Sequence, residues 1–227
     1  MARRLHMDVP VQTGARKVES GGITQSTFMP STMNAVRIHA RGGPEFLEYE
    51  DAPIPQLVPD DTLVRVHATG ITSAELGWDE TYKNIDGSGR LLSIPGHEVS
   101  GAVETLSTGV TDLREGDEVY GLADFPRAGA AAEFVAIRAS NLALRPKSVH
   151  HAGAAAASLS GWTAWQAKPA QFGARDVFFT AEPGWKMLTE SAALIDEGAV
   201  NTIVSCTCPL MDAHKAFEAS RTEKAPA

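Results

Sequence analysis

The chain has 227 residues, of which 43% are hydrophobic and 21% charged, and a formal net charge of −8. This is the composition of an ordinary soluble globular protein with room for one large domain or two small ones. The negative balance argues against nucleic acid or an anionic membrane as partner. No stretch approaches the ~18 consecutive apolar residues of a membrane span, so no membrane contact and a cytoplasmic location are expected.

Residues 1–32 mix glycine, proline and scattered polar residues without a sustained apolar period. They lack the apolar run of a secretory signal. Arg3, Arg4, Arg16 and Lys17 hint at a transit peptide, but Asp8 and Glu19 oppose it, and a disordered extension is the expectation. From Met33 onward short strands are predicted over 35–38, 46–49, 62–68, 99–106, 118–122 and 132–137. Gly42-Gly43-Pro44, Gly109, Gly116-Asp117 and Gly129 mark the turns. Alternating polar and apolar residues suit half-buried strands, and several of them at this spacing indicate a small, partly open barrel.

The pattern changes after Pro146. Ser148 is a candidate helix cap for an alanine-rich run reaching Ala167 with Trp162 and Trp165 in it. A strand over 177–180, a helix over 190–197 ended by Gly198, a strand over 202–205 and a helix over 211–220 complete the chain. The two cysteines, Cys206 and Cys208, are one residue apart, so a bridge between them would be strained. They read as reduced thiols, with no further cysteine to complete a soft metal site.

The residues between Gly70 and Gly121 carry a resemblance. Ile94-Pro95-Gly96-His97-Glu98-Val99-Ser100-Gly101 resembles the Gly-His-Glu signature of the medium-chain dehydrogenase/reductase family. The segment 110–121, with Gly116-Asp117-Glu118-Val119-Tyr120-Gly121, resembles the hairpin that follows it there. Gly70-Ile71-Thr72-Ser73-Ala74-Glu75 falls where that family places its first active-site loop. Residues 33–49 resemble the opening of quinone-reductase-like members. The likeness extends to Ala167 and resumes near the C-terminus, where 177–182 and 188–197 resemble the strand and helix that close the family's nucleotide domain and Pro209-Leu210-Met211-Asp212-Ala213-His214-Lys215-Ala216-Phe217 its terminal helix. It implies a mainly β fold: a GroES-like, partly open barrel over 33–167 with flanking helices, then a short α/β remnant of a nucleotide-binding domain over 168–227.

Between Trp165 and Phe178 stand twelve residues, 166–177, less than half of a βαβ unit. The glycine fingerprint that brings backbone N–H groups to a pyrophosphate is also missing. Its nearest imitation, Gly87-Ser88-Gly89, runs toward Pro95 rather than into a helix. The expectation is therefore no cofactor, with NADPH required only if the chain is a conventional reductase. Zinc-binding members of the family place a cysteine in the first loop. Thr72 stands there, and His97 beside Glu98 cannot alone supply the three protein ligands of a catalytic zinc, so the resemblance is to zinc-free members.

In those members the resemblance implies a cleft for a conjugated carbonyl compound. Its walls map onto Thr72, Ser73, Glu75, Trp78, Tyr82, His97, Asp124 and Phe125, with Trp162 and Trp165 facing the second domain. Thr72, Glu75, Tyr82 and His97 are the candidates for chemistry, and Ser73, Trp78, Asp124, Phe125, Trp162 and Trp165 for substrate contact. Each has a plainer reading. His97 suits a hydrogen-bonded place at the barrel floor better than a proton-transfer role, which its titration range permits. Glu75 could pair with a basic neighbour rather than act as a general base. A tyrosine such as Tyr82 is more often an amphipathic rim residue, and Trp78, Phe125, Trp162 and Trp165 suit a core. His150-His151 reads as a solvated pair. Three functions stay open: cofactor-free cyclase, isomerase or lyase chemistry in biosynthesis, NADPH-dependent quinone or enoyl reduction, and binding without catalysis. A homodimer is expected through the face carrying Trp162, Trp165 and Phe178-Phe179, because an apolar face left without its partner domain needs cover.

Overall fold

The computed structural model describes residues 4–8, 31–166 and 184–222. Among the described residues, nine strands and three helices run in the order β1 (Arg4–Asp8), β2 (Thr32–Ile38), β3 (Leu47–Pro53), β4 (Asp61–Gly70), β5 (Glu98–Leu106), β6 (Glu118–Leu122), β7 (Phe134–Arg138), β8 (Leu142–Leu144), α1 (His151–Gln166), α2 (Trp185–Asp196), β9 (Val204–Pro209) and α3 (Ala213–Thr222). The fold is mainly β, as the strand periodicity predicts. No helix among the described residues is long and apolar enough to cross a membrane.

One sheet of seven strands has the order β8-β6-β5-β4-β1-β9, with β7 pairing a second length of β4. A separate hairpin, β2-β3, is tied to it by bridges from Ala35 to Ala132 and from Ile38 to Ser93. The main sheet does not close on itself, since β8 and β9 remain at its ends. The half-buried alternation expected of β4 holds only weakly. Arg65 and His67 are partly exposed, and its other eight residues are buried, because β4 pairs with β1, β5 and β7.

One feature of the termini corrects the sequence reading. Residues 4–8, expected within a disordered extension, form a strand antiparallel to β4 and parallel to β9. The C-terminal segment packs on the main sheet: Leu210, Ala213, Ala216 and Phe217 share one core with Val36, Leu63, Val99 and Val135. The amphipathic α3 thus covers part of that core. A second core joins Tyr120 and Leu122 of β6 to Leu188 and Ile195 of α2 and to Ala154 and Ala157 of α1.

Other local expectations shift for identifiable reasons. Ser148 does not cap α1. Its N–H donates to Asp196 Oδ1 at 2.8 Å and its hydroxyl to the Ile195 carbonyl at 3.3 Å, so it closes the C-terminal end of α2. Helix α2 starts at Trp185, five residues before the predicted onset. His151 is not solvated: its Nδ1 lies 2.8 Å from Ser100 Oγ and its ring meets His67 edge-on at 4.3 Å. The predicted strand over 177–180, and with it Phe178 and Phe179, lies outside the described residues.

Candidate active site

Glu75 and His97 come together where β4 leaves the sheet and β5 enters it. After Gly70 the chain makes a 3₁₀ turn, Ser73–Gly77. The Thr72 carbonyl accepts the Glu75 N–H at 3.0 Å, and the Glu75 carbonyl accepts the Trp78 N–H at 3.1 Å and the Thr81 hydroxyl at 2.6 Å. This pins the backbone on both sides of the Glu75 carboxyl, which is 1% exposed.

His97 reaches the same place through a constrained approach. Gly96 has φ of +86°, a left-handed conformation that favours glycine. Its N–H donates to Glu75 Oε2 at 3.0 Å, and its carbonyl accepts the Ala130 N–H. Gly129 runs so close beneath that an added Cβ would stand 2.5 Å from the carbonyl oxygens of Pro95 and Gly96. His97, 5% exposed, then places Nε2 3.8 Å from Glu75 Oε2. That separation is too long for a direct hydrogen bond.

Burial sets both ionisation states. Loss of water pushes the Glu75 carboxyl up to about 8, against the opposing pull of the Gly96 and Thr72 backbone N–H groups. Burial, assisted by the charge of Arg90, pushes His97 down to about 4. At neutral pH the pair is a protonated acid beside a neutral imidazole. Glu75 Oε1 and His97 Nδ1 are both buried, and neither makes a hydrogen bond of normal length and angle among the described residues, although the Thr72 N–H pulls on Glu75 and the Ala123 carbonyl on His97. Native proteins leave few such atoms, and each calls for an explanation.

The remaining candidates divide. Phe125 lies 4.8 Å from the His97 ring, and Trp78 packs edge-on against Phe125 at 5.6 Å, so these two half-buried aromatics cover the pair. Thr72 and Ser73, also half-buried, open the turn that carries Glu75. Tyr82 has committed its hydroxyl to the Leu76 carbonyl at 2.6 Å and holds Arg41 over its ring at 5.1 Å. Asp124 accepts the Asn141 amide at 2.9 Å and faces Arg138 at 3.3 Å, which makes it a strut between loops. Trp162 and Trp165 fall in α1, but their side chains lie outside the described residues. Sequence reasoning missed Arg90. It lines a cleft nearby, and its Nη2 donates to the carbonyls of Glu80, Thr81 and Phe125 at 3.1–3.2 Å.

Neither family cofactor finds its ligands in what is described. A catalytic zinc needs three protein ligands. Among the described residues His97 has Glu75 as its near second donor, and the hydroxyl residue Thr72 stands where zinc-binding members place a first-loop cysteine. Among the described residues the one group of three potential ligands is His39, Glu48 and Glu50, on a different part of the surface. For a dinucleotide, Gly87-Ser88-Gly89 is an exposed turn closed by Asn84, with no helix after it to hold a phosphate. The described residues therefore do not fit either group.

The sheet and its Gly-His-Glu segment fall within a recognised domain. Residues 58–147 match the family described as the alcohol dehydrogenase GroES-like domain. The chain is 33% identical over 141 residues to a probable zinc-binding mitochondrial oxidoreductase of Arthroderma benhamiae, covering 62% of this chain and 41% of that protein. It is 31% identical over 150 residues to the chloroplastic NADPH-dependent alkenal/one oxidoreductase of Arabidopsis thaliana, covering 63% and 38%. Among solved structures, a quinone oxidoreductase of Pseudomonas syringae pv. Tomato superposes with a TM-score of 0.53 at 29% identity, covering 62% of this chain and 41% of that one. Residues 58–147 thus carry the alcohol dehydrogenase GroES-like domain, and the chain is similar to alkenal and quinone oxidoreductases. It spans about two fifths of the length of the curated relatives it matches.

Proposed function

We propose that this chain binds a small conjugated carbonyl compound beside Glu75 and His97 and moves a proton on it without a nucleotide. The outcome would be isomerisation, cyclisation, or the addition or elimination of water. The observation that carries this reading is the pair of buried atoms without a hydrogen bond of normal length and angle, Glu75 Oε1 and His97 Nδ1, on an acid and a base whose ionisation states suit opposite tasks. Titratable neighbours pushed in opposite directions are the recurrent arrangement of acid–base sites. Glu75, protonated near neutrality, donates to the carbonyl oxygen as an enol forms. His97, neutral, accepts the proton lost from carbon. Entry requires the Phe125 ring to move off His97, since both active groups are otherwise enclosed.

A second reading, NADPH-dependent reduction of the same class of substrate, is favoured by the name of the Arabidopsis thaliana relative. It needs the nucleotide to be held by something other than the described residues. Both readings are tested with 3-penten-2-one in deuterated water, followed by NMR without cofactor, and by absorbance at the reduced-nicotinamide band with NADPH added. Deuterium uptake or water addition without cofactor, lost in Glu75→Gln and His97→Asn, supports the first. NADPH consumption with no cofactor-free turnover would replace it with the second.

A further inference from the structure

Outside the Glu75–His97 site, a cleft of about 410 Å³ opens between the β2-β3 hairpin and the segments 90–94 and 128–135. Such a volume lies within the range of small-molecule sites. Its walls include Ile54, Leu92 and Ile94, and its polar side chains include Arg37, Arg90 and Ser93. None of Glu75, His97, Trp78 and Phe125 lines it.

The polar groups differ in how far they are already used. Arg37 is occupied, with Nη1 3.3 Å from Glu50 Oε1 and Nε donating to the Leu92 carbonyl at 3.3 Å. Arg90 meets only carbonyl oxygens through Nη2, and its Nε and Nη1 are buried without a hydrogen-bond partner among the described residues. No carboxylate among the described residues pairs with it in a chain whose net charge is −8. Ser93 is 3% exposed. Its carbonyl is fixed by the Ile38 N–H at 2.9 Å, yet its hydroxyl has no partner among the described residues.

A partly buried guanidinium without a counter-ion is costly, and a carboxylate is the group its donors match best. A single unpaired cation and a single hydroxyl suit one negative charge rather than a phosphate's two, and the apolar walls suit a hydrocarbon body. We infer that this cleft is a second ligand site, adjoining the acid–base pair through Arg90, for a small monocarboxylate with an apolar body whose carboxylate is taken by Arg90 and Ser93.

The test is calorimetric titration of the full chain with octanoate and with octanamide, which share the hydrocarbon and differ in charge. The expected result is octanoate binding at least tenfold tighter than octanamide. Arg90→Gln should remove that preference and Ser93→Ala should weaken it severalfold. Because Arg90 also holds three loop carbonyls, Arg90→Gln could fail to fold. Ala128→Trp, at an exposed position on the cleft wall, serves as the second variant and should abolish octanoate binding with the thermal midpoint unchanged. Equal binding of the two compounds, no binding of octanoate at millimolar concentration, or unchanged binding in Ala128→Trp would each overturn the proposal.

Discussion

Oε2 of Glu75 lies 3.8 Å from Nε2 of His97, with the Gly96 N–H bound to the same carboxylate oxygen at 3.0 Å. The two side chains are close enough to feel each other's ionisation and too far apart to consume each other's hydrogen-bonding capacity. Both are neutral when buried, so each contributes to stability with a different sign as pH changes.

The pH dependence follows from those directions. Glu75 rises from its ordinary 4.5 to about 8, so its contribution to stability is fully present below pH 4.5 and is lost as pH climbs through about 8. His97 falls from its ordinary 6.5 to about 4, so its contribution is present above 6.5 and is lost as pH drops through about 4. Between pH 6.5 and 8 only the Glu75 effect operates. There the wild type should lose stability relative to Glu75→Gln by up to about 1.4 kcal/mol per pH unit. Urea unfolding at half-unit steps reads the difference between the two curves, and parallel curves over that window would show Glu75 to be ionised in the fold.

Gly129→Ala should be destabilising although it adds one methyl group. The new Cβ would stand 2.5 Å from two backbone carbonyl oxygens, those of Pro95 and Gly96, and backbone cannot swing aside as a side-chain end does. The expected cost is about 1–3 kcal/mol or more. Because the strain falls on the residue preceding His97, any cofactor-free activity should fall with it. Thermal melts at matched pH check the first part, and a midpoint within a degree of wild type would mean that this loop has slack.

The ion pair between Asp61 and Arg127 offers a separate test. Arg127 donates to both Asp61 oxygens, at 2.8 and 2.6 Å, and Asp61 is fully buried at the start of β4. Arg127→Met strands that carboxylate and should cost about 3–5 kcal/mol. Asp61→Asn combined with Arg127→Met should recover a large part of the loss, because no charge is then left unpaired. Denaturant midpoints of the two variants decide it, and a double variant no more stable than the single one would contradict the argument.

The strands β2 to β7 were legible in the sequence because alternation and turn glycines are local signals. Strand β1 was not. Arg4–Asp8 does alternate polar and apolar residues, but the run is short and lies within a glycine- and proline-containing segment, and its strand rests on the edges that β4 and β9 present on either side. The three-residue β8 is likewise defined by its pairing with β6. At the candidate site, the Gly-His-Glu segment and the first loop pointed to His97 and Glu75, but their burial and mutual distance depend on contacts 21 or more residues apart. The sequence also did not show which polar atoms are already engaged: Tyr82 donates to the Leu76 carbonyl, and Asp124 meets Arg138 and Asn141. Nothing near Arg90 or Ser93 in sequence marks them, because their distinction is the partner each lacks.

The last prediction concerns how α2 is held to the barrel. Tyr120, fully buried in β6, donates its hydroxyl to the Leu188 carbonyl at 2.5 Å. Burial pushes the Tyr120 phenol up, so it remains a donor across the working pH range. The bond ties a helix 68 residues away to the sheet, beside the 1%-exposed side chain of Leu188 itself. Tyr120→Phe removes the hydrogen bond while keeping the ring, at a cost of about 1 kcal/mol. Leu188→Ala removes packing from the same contact at about 2–5 kcal/mol. If this contact docks the helix, hydrogen exchange across residues 185–196 should accelerate in both variants, and more in Leu188→Ala, while β4 and β5 keep their protection. Local opening of this kind exposes the elements with the fewest buried contacts first. Exchange in α2 unchanged by either substitution would mean that the helix is anchored elsewhere, and acceleration spread evenly over β4 and β5 would mean that it does not open separately from the barrel.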